Sequence, residues 1–210
     1  LQCSSPCALS LAMKFTDLDL PAEVMRGIEG VGFVDLTPVQ EESIPLALMG
    51  RDVAAQAQTG TGKTAAFLIT LFTRLLNNPP SATGVPRALV IAPTRELVVQ
   101  ICADAEGLGA SCPFKVQAIF GGVDYEKQRR ALQTGVDVIV ATPGRLIDYV
   151  KQNIFSLKHV EALVIDEADR MFDMGFIRDL RYILRKLPPF EKRQTMLFSA
   201  TLSHRVMELA

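Results

Sequence analysis

Two short stretches carry side chains that could act together on a phosphoanhydride. Thr59-Gly60-Thr61-Gly62-Lys63-Thr64 follows the apolar run Val53-Ala54-Ala55, and Asp166-Glu167-Ala168-Asp169 follows Ala162-Leu163-Val164-Ile165. A glycine-rich turn entering a helix aims successive backbone N–H groups at phosphate oxygens, helped by the helix dipole. Ala57 and Gln58 lead into that turn. The usual pattern begins with Gly where Ala57 stands, and a small residue still meets the steric need. Lys63 would neutralise β and γ phosphates, and the Thr64 hydroxyl would ligate Mg²⁺. Asp166 would hold that metal through its water shell, while Glu167 would orient and deprotonate an attacking water. The chemistry so assembled is hydrolysis of a nucleoside triphosphate. A solvated Lys after an ordinary turn and an acidic N-cap are the bland alternatives. Neither explains why both clusters follow apolar runs so abruptly.

Such groups need a scaffold that brings distant segments to one place. Apolar runs with strand character recur at 52–57, 88–92, 116–120, 136–141, 162–166 and 195–199. Helical spacing fills 63–76, 95–108, 123–133 and 145–152 between them. Strands apolar on both faces and alternating with helices imply an α/β domain, a parallel sheet with helices on both faces. Right-handed crossovers then place every strand-to-helix loop along one sheet edge, where ligands bind. Gly60, Pro93, Gly121, Pro143 and Asp166 all fall just after an expected strand. The stretch 77–86, rich in Pro, Ser and Gly, reads as an exposed loop, and Pro188-Pro189 ends a later helix.

A length of 210 residues suits one well-filled α/β domain. With 49% hydrophobic and 21% charged residues the composition is that of a globular chain. The net charge of −1 excludes a global basic field, so any nucleic acid must be held by a local patch. Cys3, Cys7, Cys102 and Cys112 form no CxxC pair, and only His159 and His204 could complete a zinc site. Reduced thiols in a cytoplasmic protein are the expectation. No apolar stretch approaches the ~20 residues that span a membrane. Residues 1–12 are expected to be a leader or an added remnant, because Met13 heads what looks like a natural start.

The motifs together resemble the DEAD-box ATP-dependent RNA helicases, over nearly the whole of that family's first RecA-like domain. Asp166-Glu167-Ala168-Asp169 spells the family's name, Ser199-Ala200-Thr201 looks like its coupling motif, and Gly121-Gly122 matches its glycine doublet. Pro93-Thr94-Arg95-Glu96-Leu97 and Thr142-Pro143-Gly144-Arg145 look like its two RNA motifs. Phe15, Gly32-Phe33 and Thr37-Pro38-Val39-Gln40 are similar to its adenine-reading Q motif, here 15–40, with Leu36 where the family usually has Pro. The stretches 144–149, 169–177 and 198–210 look like one bacterial branch, associated with RNA turnover.

The resemblance implies an N-terminal RecA-like P-loop domain over 13–210 that uses ATP and Mg. It implies that Gln40 reads adenine and Phe33 stacks on it, while Phe15 packs the segment onto the domain. Phe33 could also be a core aromatic. Pro93, Thr94, Arg95, Gly122, Thr142, Gly144 and Arg145 are implied to hold the RNA backbone with little sequence preference. Taken alone, Arg95 and Arg145 would read as solvated or ion-paired surface groups. Ser199 and Thr201 are implied to bond the 166–169 segment through Asp169, coupling nucleotide state to RNA grip. The family's second RecA-like domain, with its arginine finger, is not expected within these 210 residues. The chain by itself should therefore bind nucleotide and turn it over slowly.

Three other classes stand beside this one: a P-loop kinase or small GTPase, a non-catalytic RNA clamp, and a DNA helicase of a related superfamily. A P-loop kinase would need a lid and a substrate pocket, and a GTPase would need an Asn/Lys-x-Asp guanine reader. A non-catalytic RNA clamp would keep the binding residues, and a related DNA helicase would differ in its response to 2′-OH groups.

Overall fold

The computed structural model describes residues 13–80 and 82–207. The leader expected at 1–12, with Cys3 and Cys7, lies outside the described residues. Six parallel strands form one sheet: β1 (Val53–Gln56), β2 (Ala88–Ile91), β3 (Val116–Ile119), β4 (Val138–Ala141), β5 (Ala162–Asp166) and β6 (Gln194–Ser199). Their order across the sheet is β1-β6-β5-β2-β4-β3. Every residue of β2, β4, β5 and β6 is buried, whereas the edge strands β1 and β3 are only partly covered.

Successive side chains of a strand point to opposite faces, so each central strand feeds two cores. Val90, Val138 and Val164 pack with Ile28 of α1 (Ala22–Gly30), Ile44 of α2 (Pro38–Leu48), Phe67 of α3 (Lys63–Asn77) and Ile101 of α4 (Arg95–Leu108). On the other face Leu89, Ile139 and Leu163 pack with Leu132 of α5 (Tyr125–Gln133) and Leu146 of α6 (Pro143–Lys151). Met171 of α7 (Ala168–Asp173) and Leu180 of α8 (Ile177–Leu184) join that core, before a last short turn α9 (His204–Met207). The fold is the open parallel α/β sheet of RecA-like type. No helix among the described residues is long and apolar enough to cross a membrane.

Local chemistry explains where element ends differ from the expected ones. Helix α5 begins at Tyr125 because the Asp124 carboxylate accepts from the Lys127 N–H at 3.1 Å, capping the first turn. Helix α6 begins at Pro143 rather than Arg145, since proline is suited to the first helical position. The loop after α3 is mostly exposed, but its end is pinned. Arg87 is buried there, bonded to Glu161 and to the carbonyls of Leu75 and Asn78. It holds the sheet's opposite end, away from the motifs.

Candidate nucleotide and nucleic-acid site

Register aligns the strand ends that carry the chemistry. Gln56 of β1 pairs with Ser199 of β6, and Asp166 of β5 pairs with Phe198 of β6. The turn after β1 and the acids after β5 therefore emerge side by side, with β6 between them.

In the turn, Gly60 and Gly62 have φ of 83° and 91°, a left-handed conformation that favours glycine. Position 62 excludes a side chain on a second count. A Cβ there would lie 2.6 Å from Gln40 Nε2 and 2.9 Å from Thr37 Oγ1. The close approach lets Gln40 Nε2 donate to the Gly62 carbonyl at 3.0 Å, while Gln40 Oε1 accepts from the Thr37 N–H at 2.9 Å. Helix α3 starts directly at Lys63 with no side-chain cap, leaving its first N–H groups for a ligand.

Lys63 Nζ sits 2.8 Å from Asp166 Oδ1 and 3.8 Å from Glu167 Oε1, with side-chain exposures of 5% and 0% for Lys63 and Asp166. Burial pushes the Asp166 carboxyl above its usual range, against the pull of the Lys63 ammonium. Its Oδ1 also accepts from the Glu167 N–H, whereas Oδ2 is buried without a partner. Glu167 itself takes φ 51° and ψ 50°, rare for a residue with a side chain. Three groups surround its carboxylate: Lys63, the Arg170 guanidinium at 3.2 Å, and the Thr59 hydroxyl at 3.5 Å.

A cavity of about 350 Å³ runs from Phe33 past Gly60, Gly62, Lys63 and Thr64 to Glu167, with α4 as its far wall. Phe33 is 41% exposed and stacks on buried Phe15, ring centroids 6.2 Å apart. A second space of about 250 Å³ continues along Thr59, Lys63, Glu167, Asp169 and Arg170. A further cavity of about 770 Å³ lies on the other flank of the turn, between α2 and the open edge of β1.

Beyond Glu167, the Asp169 N–H donates to Ser199 Oγ at 3.1 Å. Thr201 donates to Asp169 Oδ2 through its N–H at 3.1 Å and its hydroxyl at 3.3 Å. Partial burial raises the Asp169 carboxyl, but the hydrogen bonds from Ser199, Arg170 and Thr201 outweigh it and leave it below the usual range.

The remaining motif residues gather at the ends of β2, β3 and β4. Thr94 caps α4 by accepting from the Leu97 N–H at 3.3 Å, and Pro93 before it is buried. The Arg95 guanidinium lies over the Phe120 ring at 5.1 Å, and that of Arg145 over Tyr125 and Tyr149 at 5.1 and 5.7 Å. Arg145 Nη1 is buried without a hydrogen bond. Gly122 is exposed with φ 80°, close to Arg95, and Gly144 faces open space at the first turn of α6. The Thr142 hydroxyl makes no capping bond.

Sequence reasoning did not single out Arg170, Phe120, Tyr125 or Tyr149. The i, i+3 spacing of Glu167 and Arg170 on one helix turn was a usable signal. Arg145 and Tyr149, four apart on α6, carried a signal of the same kind, whereas the pairings of Arg95 with Phe120 and of Arg145 with Tyr125 join separate segments and left none.

A Gly-rich turn entering a helix, with Lys63 buried against an aspartate at the end of a parallel strand one strand removed, defines a RecA-like P-loop domain. The chain matches the DEAD/DEAH box helicase model over residues 37–209 and belongs to that family. It is similar to the ATP-dependent RNA helicase RhlB of Xanthomonas oryzae pv. oryzae, 57% identical over 200 residues, which cover 93% of this chain and 35% of that protein. RhlB of Enterobacter sp. is 54% identical, over 94% of this chain and 48% of that protein. RhlB of Pectobacterium carotovorum subsp. carotovorum is 53% identical, over 94% and 46%. The RhlB group is the bacterial branch that stretches 144–149, 169–177 and 198–210 resemble. The chain thus spans between about a third and a half of the length of these relatives.

Proposed function

We propose that this chain is the ATP- and RNA-binding domain of an ATP-dependent RNA helicase. The observation that carries the reading is the buried Lys63–Asp166 pair at the mouth of the Gly60–Gly62 turn, with Glu167 beside it.

Adenine recognition follows from what Gln40 has left. A primary amide offers two N–H donors and two lone pairs. One donor is used on Gly62 and one lone pair on Thr37, leaving one of each. Adenine N7 accepts and its N6 amino group donates, whereas guanine presents two acceptors there. The amide cannot turn over to suit guanine without losing both anchors. Phe33 supplies an exposed ring for stacking in the cavity that Gly62 also lines.

Mg²⁺ fits the residues present: Asp166 Oδ2 is a buried acceptor without a partner, and Thr64, the second residue of α3, lines the cavity with Lys63 and Glu167. Bound with ATP, the ion would be held by Thr64 and, through water, by Asp166, and would neutralise charge on the phosphates. Lys63 would leave Asp166 for the β and γ phosphates. Glu167, held by Arg170 at one oxygen, would take the proton of the attacking water at the other.

RNA is proposed to lie across Thr94, Arg95, Gly122, Thr142, Gly144 and Arg145, with Pro93 shaping the turn beneath. The two guanidiniums are stacked on rings instead of paired with carboxylates, so the N–H groups of Arg95, and those of Arg145 apart from the buried Nη1, remain for phosphates. The bond set joining Asp169 to Ser199 and Thr201 would carry nucleotide state toward that surface. In the whole protein we place a second RecA-like domain across the cleft, supplying an arginine finger worth ~10³–10⁵ in rate in other phosphoryl-transfer systems. Closure on ATP and RNA would bend one strand and release its partner from a short duplex. A cytoplasmic setting and association with RNA-turnover proteins complete the proposal.

The test is displacement of a fluorescent adenine nucleotide from this chain by ATP or GTP, with and without Mg²⁺. The reading expects ATP to win by at least about tenfold and Lys63→Ala to bind neither. Equal displacement by GTP would remove Gln40 from its role. Matched RNA and 2′-deoxy strands, tested on the whole protein, separate an RNA from a DNA helicase, and duplex release coupled to ATP turnover separates both from a passive clamp.

A further inference from the structure

The wall of the 350 Å³ cavity opposite the glycine turn is helix α4, and two of its polar side chains have no task in the reading above. Gln100 and Asp104 stand one helical turn apart, a spacing that puts both on one face. Both line the cavity that Phe33, Gly62 and Lys63 also line. Neither side chain forms a hydrogen bond or an ion pair with another described residue. Asp104 is half-buried, and that burial alone raises its carboxyl above the usual range.

A partly desolvated carboxylate with no partner is costly in an isolated fold, because folding removes water without replacing it. An ionised carboxylate only accepts, so its natural ligand is a donor, and its charge repels a polyphosphate. The phosphates belong at the other end of the cavity, at Lys63 and the helix N-terminus. The adenine edge is met by Gln40. What lies between a base and a phosphate chain in a nucleotide is a ribose, whose vicinal hydroxyls are donors and acceptors together. A carboxylate meeting a ribose 2′-OH is a familiar solution in dinucleotide-binding folds, where it comes from a strand end. Here it would come from a helix face.

We infer that Asp104, assisted by Gln100, is a ribose subsite: the carboxylate accepts from a ribose hydroxyl of the bound nucleotide and the Gln100 amide bonds the same diol. The inference rests on the nucleotide reading of the cavity. It makes α4 part of the specificity apparatus, and it ties nucleotide binding to the helix whose first turn carries Thr94 and Arg95.

The experiment is titration of the full chain with ATP, 2′-deoxy-ATP and 3′-deoxy-ATP, in the wild type and in Asp104→Asn, Asp104→Ala and Gln100→Ala. A hydrogen bond to a charged group predicts that the wild type loses about tenfold or more in affinity for at least one deoxy form. Asp104→Ala should lose a similar factor for ATP and bind ATP and that deoxy form alike. Gln100→Ala should show a smaller loss with the same narrowing. An Asp104→Ala chain that binds ATP as the wild type does, or that weakens all three nucleotides equally, overturns the subsite while leaving the nucleotide reading intact. A wild-type chain that binds no ATP overturns the nucleotide reading and the subsite together. Asp104→Asn keeps shape and volume, so a loss of discrimination there cannot be assigned to a packing defect.

Discussion

Lys63 and Asp166 form a buried ion pair, Nζ to Oδ1 at 2.8 Å, at the point where a nucleotide's phosphates would enter. Before ligand arrives, each charge is compensated chiefly by the other, with Glu167 Oε1 at 3.8 Å from the lysine and the Glu167 N–H donating to the aspartate. The pair is therefore both a structural element and a site held in reserve.

Removing one partner leaves a buried charge without its counterpart, which typically costs about 3–5 kcal/mol. Lys63→Ala and Asp166→Asn should each lower the urea midpoint of this chain and abolish Mg-dependent ATP binding. The double variant Lys63→Met/Asp166→Asn should regain most of the stability and none of the binding. Additive losses in the double variant would show that the two side chains do not depend on each other.

Gln40 and Gly62 hold the adenine-reading segment to the phosphate turn. Gln40→Ala removes two hydrogen bonds, worth about 1 kcal/mol each, and should erase the preference of ATP over GTP. Gly62→Ala meets Gln40 and Thr37 sterically at a φ of 91°, so it should lose nucleotide binding without any loss of charge. Retained ATP preference in Gln40→Ala would place base recognition elsewhere.

These two relationships also mark how far the sequence can be read. The strands, the glycine turn and the acidic quartet announce themselves locally, because each is an uninterrupted run whose residue types suit one conformation. Gln40 could be proposed for adenine from resemblance, yet its anchoring on Gly62 is a contact between segments 22 residues apart. Arg145 lies over Tyr149, four residues along α6, and over Tyr125, which α5 brings against Tyr149. The spacing of Arg145 and Tyr149 could be read from the sequence, but nothing in the order of residues announces the contact with Tyr125. The same holds for Asp104, an ordinary helix acid until α4 is seen to wall the cavity.

Asp169 carries a pH signature. Its native carboxyl lies below the usual range, held there by Ser199, Arg170 and Thr201 against partial burial. The folded state then binds fewer protons than the unfolded one, whose Asp titrates near ~3.9. The stabilisation is fully present above that value and is lost as pH falls through the lower native one. The stability difference between wild type and Asp169→Asn should be constant from about pH 7 to 5 and shrink below about pH 4. A difference that persists unchanged to pH 3 would show that the bonds from Thr201 do not depend on the charge.

Burial, with the charge of Glu106, pushes the Cys102 thiol up to about 12, and burial raises Cys112 as well. Thiolate is the reactive form. Alkylation at pH 8, read peptide by peptide, should be slow at both positions in the folded chain and fast in urea. Rapid modification of Cys102 in the folded state would mean that α4 opens readily from the core.

The cavity wall can be tested without touching any polar group. Gly27 of α1 is buried against the end of α4, and a Cβ there would lie 1.8 Å from the Leu108 carbonyl oxygen. That approach sets how deeply α1 sits, and Phe33 follows α1 closely, its N–H donating to the Ile28 carbonyl at 3.1 Å. Gly27→Ala must push the two helices apart, an overpacking that costs about 1–3 kcal/mol. The displacement moves Phe33 relative to the glycine turn, so adenine nucleotide affinity should fall although no ligand-facing residue has changed. Gly30→Ala, three residues along the same helix and with nothing within 4 Å of its Cβ, is the control and should be neutral or slightly stabilising. If Gly27→Ala lowers the melting temperature and leaves ATP affinity unchanged, the placement of Phe33 does not depend on the α1–α4 contact, and stacking on that ring is not part of nucleotide binding.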